Sequence, residues 1–147
     1  MVESNQLARI YSDGSSKDSV SGWAVVMYTN NNKICMCGSE QKSTSSRAEL
    51  LAFINALEMA INSQMHAVIF TDSKSIANTI KFNWLDNWKS QGYKGIKDID
   101  LWTQVESLFK LSKAKVEYIP RRLNSEADKF SKLARDGVYG YRSVIHF

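Results

Sequence analysis

The chain is organised around an early stretch, Arg9-Ile10-Tyr11-Ser12-Asp13-Gly14-Ser15-Ser16, in which an apolar strand runs into an aspartate, a glycine and small hydroxyl residues. Taken alone, Asp13-Gly14 is typical of a hairpin turn. Three further carboxylates follow downstream at similar junctions between predicted elements, however. All four could converge on one end of a sheet.

Composition bounds the class of protein. The 147 residues suit one domain with a substantial core, and 44% hydrophobic with 23% charged residues is ordinary for a globular protein. No apolar run reaches the roughly 18 residues of a membrane span, and residues 1–7 lack the pattern of a signal peptide. We therefore expect a cytoplasmic protein, by default a monomer. The net charge of +4 weakly favours a polyanionic partner.

The two cysteines, Cys35 and Cys37, lie two residues apart in a predicted strand, where they would share a face and could not bridge each other without strain. We expect buried free thiols. A zinc site would need further ligands, and the only histidines, His66 and His146, lie far apart in the sequence.

The spacing of apolar residues changes once in the first half of the chain, from a strand pattern to a helix pattern. Residues 7–12, 22–28 and 33–38 have the composition of strands, and their short connections, including a turn at 29–32, predict an antiparallel meander. A long helix follows, with apolar residues at helical spacing: Leu50, Phe53, Ile54, Leu57 and Ile61. Ser46 and Glu49 fit a capping box at its start.

The second half alternates short strands with helices. Residues 67–71 form a wholly apolar run that suits a strand buried on both faces, in a parallel position. Helices are predicted over 73–82, 84–89 and 98–111, a strand over 115–119, and a last helix from Asn124 or Ser125 to about Arg135.

The resulting order, βββαβαααβα, predicts an α/β fold with one five-stranded mixed sheet. It combines a three-stranded antiparallel meander with two parallel strands and carries helices on both faces. We expect a single domain over residues 1–137, with the apolar tail 138–147 docked on it.

Four carboxylates fall where this fold would gather them. Asp13 and Asp72 end two strands that we expect to be parallel neighbours, at the sheet end that ligands favour. Glu49 and Asp128 lie in the first turns of two helices. Each also has a purely structural interpretation, as a turn residue, a cap or a partner of the helix dipole.

Gathered in one pocket, the four carboxylates would repel unless a cation joined them. Oxygen ligands of this kind select Mg²⁺ or Mn²⁺ over zinc. Two such ions about 4 Å apart can activate a water and stabilise the leaving oxygen in phosphodiester cleavage.

These pieces resemble a type 1 ribonuclease H. The matching segments occur in the family's order over residues 7–137: Tyr11-Ser12-Asp13-Gly14-Ser15, Ser45-Ser46-Arg47-Ala48-Glu49-Leu50, Phe70-Thr71-Asp72-Ser73 and Asn124-Ser125-Glu126-Ala127-Asp128. The resemblance implies the ribonuclease H fold and Mg²⁺-dependent hydrolysis of the RNA strand of an RNA/DNA hybrid, with two ions and with Mn²⁺ as a possible substitute. It implies four catalytic metal ligands: Asp13, Glu49, Asp72 and Asp128.

The resemblance also implies substrate contacts around the first strand and the long helix. The 2′-hydroxyl distinguishes RNA from DNA, and the candidates to read it are Gly14, Ser15, Ser16, Ser46 and Glu49. A helix N-terminus suits a phosphate of the DNA strand, and the candidates there are Thr44, Ser45 and Arg47. Asn124, in the last matching segment, is a further candidate contact.

Residues 81–97 hold four lysines against one aspartate and are similar to the family's basic protrusion, which grips the hybrid. Trp84 and Trp88 are four residues apart and share a helix face. That spacing also fits a core stripe, so both interpretations of the tryptophans stay open. The resemblance implies hybrid contacts by Trp84, Trp88, Lys89 and Lys94.

The chain departs from the family's pattern in the loop before the last helix, where many members carry a histidine and residues 119–124 have none. Arg121 or Arg122 could instead contact the scissile phosphate. We do not expect His146, in the tail, to reach the site.

Three alternatives remain beside a stand-alone ribonuclease H that acts on an RNA/DNA hybrid. The same domain could come from a reverse transcriptase or mobile element. It could be an inactive hybrid-binding module, although the repelling carboxylates argue against that. It could also be another metal nuclease of the same fold that cuts DNA junctions.

Overall fold

The computed structural model describes residues 7–139 and 142–147. The strands are β1 Leu7–Lys17, β2 Val20–Tyr28, β3 Lys33–Glu40, β4 His66–Thr71, β5 Lys115–Tyr118 and β6 Arg142–His146. The helices are α1 Ser45–Ser63, α2 Lys74–Lys81, α3 Trp84–Ser90, α4 Ile99–Ser112 and α5 Ser125–Arg135. Among the described residues, no helix is long and apolar enough to cross a membrane.

The sheet confirms the predicted mixed topology and adds one strand to it. Its order is β5-β4-β1-β2-β3-β6. Strands β1 to β3 form the antiparallel meander, and β4 pairs in parallel with both β1 and β5. The expected five strands become six because β6, from the apolar tail, pairs antiparallel with the outer edge of β3. Residues 140 and 141 of that tail lie outside the described residues.

The predicted turn at Asp13-Gly14 is wrong, because β1 continues through both residues to Lys17 and pairs with β2 along its length. The chain reverses instead at Asp18 and Ser19, which both have positive φ (54° and 65°). Two adjacent residues with positive φ are typical of the tight turns that match the twist of a hairpin.

Gly14 allows β1 and α1 to approach each other closely. A Cβ added there would lie 2.5 Å from Glu49 N and 2.6 Å from Ala48 O, both backbone atoms of α1. No side chain fits in that space, so the glycine allows α1 to lie directly against β1.

Helices cover both faces of the sheet, as expected. On one face, α1 and α4 bury the main core, which includes Phe53, Leu57 and Val105. On the other face, α5 packs Phe130 over a smaller cluster that contains the two cysteines. Both cysteines are buried and free, which confirms that prediction.

The prediction that β4 is buried on both faces is only half right. Ile69 is fully buried against α1, whereas Val68 and Phe70 on the opposite face are half-buried. The reason is that α5 packs over β1, β2 and β3 and leaves this face of β4 partly open. Phe70 stacks on Tyr11 of β1, with ring centroids 4.8 Å apart.

The helix caps differ from those predicted, with a consequence for the carboxylates. Thr44 caps α1, since its hydroxyl oxygen accepts from the Arg47 N–H (3.1 Å), so Ser46 and Glu49 do not form the capping box. Ser73 caps α2 and accepts from the Ile76 N–H (3.2 Å). Glu49 and Asp72 are therefore not needed as caps.

Candidate active site

Three of the four carboxylates come together at one end of the sheet. Oxygens of Asp13, Glu49 and Asp72 all lie within 4.8 Å of one another. The register explains the pair from the strands, because Ser12 is aligned with Thr71 in parallel strands and the next residues are the two aspartates. Glu49 joins them because α1 lies against Gly14.

Burial makes ionisation of this group unfavourable. The side chain of Asp13 is only 5% exposed. Burial, reinforced by the hydrogen bond with Glu49 and by the charge of Asp72, raises the pKa of Asp13 to about 10. Burial also raises the pKa values of Glu49 and Asp72. Three adjacent carboxylates with raised pKa values make this a place where a bound cation would be stabilising.

The ligand atoms of these three carboxylates suit a divalent metal ion. They are all hard oxygen donors, which suit Mg²⁺ or Mn²⁺. One oxygen of Asp72, Oδ2, is buried and has no hydrogen-bond partner. A buried carboxylate oxygen without a donor is costly, and a cation would satisfy it.

Asp128 stands beside the group rather than within it. Its Oδ2 forms a salt bridge with Lys132 Nζ at 3.0 Å. A hydrogen bond with Asp128 nevertheless contributes to the raised pKa of Asp13, so the two side chains are neighbours. Its part in binding metal stays a prediction.

The raised pKa values predict how stability depends on pH without metal. Between pH 4 and about 10, the native state holds a proton on Asp13 that the unfolded chain releases. The free energy of unfolding should therefore fall as pH rises through this window, by up to about 1.4 kcal/mol per pH unit for one proton. Urea unfolding from pH 5 to 8 in a chelator measures the slope. A stability that rises over that range would contradict the prediction.

A cleft of about 450 Å³ opens beside the carboxylates. It runs between the N-terminal turns of α1 and α2 and the loop before α4. Six of the predicted contact residues line it: Gly14, Ser45, Ser46, Glu49, Trp88 and Arg121. Sequence reasoning missed Ser73 and Lys97, which also line the cleft. Lys97 had a signal, since it closes the lysine-rich segment.

Other predicted contacts lie around the cleft. The hydroxyl of Ser16 is 2.7 Å from that of Ser45, and the hydroxyl of Ser15 accepts from Ser131 (3.3 Å). Thr44, although exposed, uses its side-chain oxygen to cap α1. Lys89, Lys94 and Arg122 are exposed, which leaves their charges accessible.

The two tryptophans of α3 have different environments, so they do not form a common core stripe, and their contacts with a hybrid stay a prediction. Trp88 is half-buried against Trp102 of α4, edge to face at 5.1 Å, and also lines the cleft. Trp84 is 38% exposed and stacks on Phe82 at 5.9 Å. Trp88 is therefore partly a core residue, and Trp84 is a surface residue.

Asn124 is buried, and it connects α5 to the site. Its Nδ2 donates to the carbonyl oxygen of Ser12, 2.9 Å away in β1. A hydrogen bond with Asn124 and the nearby charge of Arg121 both act to lower the pKa of Asp72, against the larger effect of burial. His146 pairs opposite Ile34 in the β3–β6 ladder, so it lies far from β4 in the sheet and away from the site.

Arg47 is held by three carboxylates instead of being free for a phosphate. Its guanidinium pairs with Glu40 (2.8 Å), Asp98 (3.1 Å) and Asp100 (2.9 Å). These partners belong to β3, the residue before α4 and the first turn of α4. The arginine thus ties the start of α1 to the end of the lysine-rich segment, one wall of the cleft.

Replacing Arg47 separates this structural role from a phosphate contact. Arg47→Ala should lower the free energy of unfolding by about 1–2 kcal/mol, because three carboxylates lose their common partner. Arg47→Lys should keep only part of the lost free energy of unfolding, since an ammonium cannot reproduce the planar geometry of the guanidinium. Urea unfolding, with the exposed Arg9→Ala as control, measures the change. Unchanged stability with weaker, less salt-dependent binding of a polyanion would instead indicate a phosphate contact.

Comparison with known proteins agrees with this geometry. The family model for RNase H matches residues 5–137. Ribonuclease H of Parvibaculum lavamentivorans is 30% identical over 148 residues, which cover 95% of this chain and 97% of that protein.

Solved structures share the fold at lower identity. LC9-RNase H1, a type 1 RNase H with the type 2 active-site motif, has a TM-score of 0.82 at 19% identity and is aligned over 97% of this chain and 78% of its own. LC11-RNase H1, solved with an RNA/DNA hybrid, has a TM-score of 0.68 at 20% identity over 89% and 98% of the two chains. The mixed sheet with helices on both faces is thus the RNase H fold. Because the family model matches most of its length and a relative is 30% identical, this chain belongs to the RNase H family.

Proposed function

We propose that this chain is a divalent-metal-dependent endonuclease that hydrolyses the RNA strand of RNA/DNA hybrids. The observation that carries the proposal is the buried group Asp13, Glu49 and Asp72 at the edge of an open cleft, with one Asp72 oxygen unpaired. Family membership supports the reaction. The relative LC11-RNase H1, solved with an RNA/DNA hybrid, supports the substrate.

Mg²⁺ is the proposed ion, with two ions per site and Mn²⁺ as a substitute. Asp13, Glu49 and Asp72 would hold it, and Asp128 would complete the set of ligands. When bound, the metal supplies an activated water and stabilises the leaving oxygen of the phosphodiester.

The chain's own side chains would orient the reacting groups. The Gly14 N–H donates to Asp13 Oδ1 (2.9 Å), which fixes that carboxylate against β1. Asn124 and Arg121 would favour the ionised form of Asp72, since both act to lower its pKa against the larger effect of burial. Arg121 also lines the cleft and carries a positive charge close to where a scissile phosphate would lie. We assign the phosphate contact to Arg121 over Arg122 for this reason.

The rest of the cleft would grip the two strands of the hybrid. Ser45 and Ser46, at the exposed N-terminus of α1, offer hydroxyls and a partial positive charge to a phosphate or a 2′-hydroxyl. Trp88 and Lys97 line the opposite wall, and Lys89 and Lys94 extend its positive charge over the exposed surface. One chain brings together the three carboxylates, which supports action as a monomer.

The test is cleavage of labelled nucleic acids by the purified chain with Mg²⁺ or Mn²⁺. The substrates are an RNA/DNA hybrid, single-stranded RNA, duplex RNA and duplex DNA, with Asp72→Asn as the matched variant. We expect cleavage of the RNA strand of the hybrid alone, and loss of that cleavage in the variant. Hybrid binding without cleavage under either metal would contradict the proposal and leave a binding module. Cleavage of DNA junctions would indicate a different nuclease.

A further inference from the structure

A second groove, of about 840 Å³, runs between α2 and β5, separate from the cleft. One wall is the exposed face of α2, where Lys74, Asn78 and Lys81 recur at positions i, i+4 and i+7. The opposite face of the same helix buries Ile76 and Thr79 in the protein. Lys74 and Lys81 are two helical turns apart, about 10 Å along the axis.

The other wall presents aromatic surface to solvent. Tyr118, the last residue of β5, is 44% exposed, and Lys74 Nζ lies 5.8 Å from the centre of its ring. Outside the groove, at the C-terminal end of α2, Lys81 Nζ lies 5.5 Å from the ring of Phe82, which is 56% exposed. Trp84 stacks on Phe82 there. Exposed aromatic rings flanked by lysines contribute little to folding stability, so they favour a binding role.

The combination of charge and aromatic rings favours one class of occupant. Two lysines, Lys74 and Lys81, outnumber the single acid of the groove, Glu117. Surfaces that hold single-stranded nucleic acid combine a positively charged groove with aromatic rings on which unpaired bases stack. Here a lysine lies beside an aromatic ring at each end of α2: Lys74 beside Tyr118 and Lys81 beside Phe82.

The groove lies next to the site of proposed hydrolysis along the chain and the sheet. Tyr118 is aligned with Thr71 in the parallel pair β4–β5, directly before Asp72, and the Ile119 N–H donates to the Thr71 carbonyl (2.9 Å). Lys74 follows Asp72 by two residues, and Arg121, which lines the cleft, follows Tyr118 by three. A strand that leaves the carboxylates along this edge reaches Tyr118 and Lys74 first.

We propose that the α2–β5 groove binds single-stranded RNA that extends beyond the hybrid duplex, with unpaired bases on Tyr118 and phosphates on Lys74 and Lys81. The path from the cleft rests on the function proposed above. The groove itself rests on its own charge and aromatic surface. The protein would therefore prefer hybrids that carry a single-stranded RNA extension over blunt ones.

Binding in a chelator, followed by fluorescence anisotropy, tests this without hydrolysis. The probes are a blunt hybrid and two hybrids with an RNA extension at either the 5′ or the 3′ end. The variants are Tyr118→Ala and Lys81→Ala, both at exposed positions where folding should persist. Tyr118→Phe is the matched control, because it keeps the ring, and thermal unfolding checks that each variant is folded.

One of the two extended hybrids should bind wild-type protein at least about fivefold more tightly than the blunt hybrid, in keeping with stacking of one or two bases. Tyr118→Ala should remove that preference and Tyr118→Phe should retain it, and neither of these two changes should alter binding of the blunt hybrid. Lys81→Ala should lower the salt dependence for the extended hybrid by about one phosphate contact.

Equal binding of all three probes would overturn the proposal. So would a preference that survives Tyr118→Ala, or an equal loss for blunt and extended probes. The result is independent of turnover, because cleavage of the blunt hybrid with Mg²⁺ is measured separately. Failure of that cleavage counts against the proposed function alone, and failure of the extension effect counts against the groove alone.

Discussion

Replacing Asp13 by asparagine is expected to lower hydrolysis of an RNA/DNA hybrid by about 10³-fold or more, because the loss of a metal ligand removes several kcal/mol of transition-state stabilisation. The same change should stabilise the metal-free protein. Asp13 is buried next to Glu49 and Asp72, and its pKa is raised to about 10. Ionisation at pH 7 is therefore unfavourable in the folded state, and a neutral amide of nearly the same shape removes the cost.

Thermal unfolding measures the second effect. In a chelator at pH 7.5, we expect Asp13→Asn to unfold at a higher temperature than wild type. Added Mg²⁺ should raise the unfolding temperature of wild type, since a ligand that binds only the native state stabilises it. The variant should respond much less.

The matched control is Glu58→Gln, which removes one negative charge from an exposed position on α1. It should leave activity, unfolding temperature and the response to Mg²⁺ unchanged. If Asp13→Asn destabilised the metal-free protein, or kept the full response to Mg²⁺, the three carboxylates would not act as a metal site.

Gly14→Ala should be strongly destabilising, although it adds only one methyl group. The new Cβ would overlap backbone atoms of Ala48 and Glu49, which cannot rotate away as a side chain can. Either α1 moves off β1 or the strand distorts, and we expect a loss of about 3 kcal/mol in the free energy of unfolding. Activity should fall with it, because Glu49 would no longer lie against Asp13.

Urea unfolding and hybrid cleavage measure both effects. Lys17→Ala, at the exposed end of the same strand, is the control and should change stability by no more than about 0.5 kcal/mol. A Gly14→Ala protein with wild-type stability would mean that α1 and β1 are less tightly apposed than described. Wild-type activity in a destabilised variant would mean that Glu49 tolerates displacement.

Most of the fold follows from local patterns in the sequence. Alternating and continuous apolar runs, helical spacing and short connections predict the meander and the parallel pair. The turn at Asp13-Gly14 was wrong because strand pairing along β1 overrides a local turn preference, and the glycine serves contact with α1 instead. The sixth strand was missed because five residues of an apolar tail carry no signal for their partner strand.

Asp72 directly follows β4 and Glu49 lies near the start of α1, so local patterns located both of them. Asp13 joins the same group although the strand end predicted there was wrong, because β1 continues past it. The role of Arg47 could not be predicted, since its partners Glu40, Asp98 and Asp100 come from distant positions that only the fold brings together. The same holds for the α2–β5 groove, where Lys74 and Tyr118 are more than forty residues apart. Charged residues that pair across different elements have no regular spacing in the sequence, so no local pattern predicts the pair.

The pairing of β6 with β3 also bears on self-association. Without β6, the eight-residue strand β3, with Cys35 and Cys37 in its centre, would present unpaired N–H and C=O groups along an open edge. Such an edge is a template for intermolecular sheet formation. The sheet instead ends in two short strands, β5 with four residues and β6 with five. Lys115 and Glu117 place charges on β5. Short edge strands, and charges on one of them, oppose edge-to-edge aggregation.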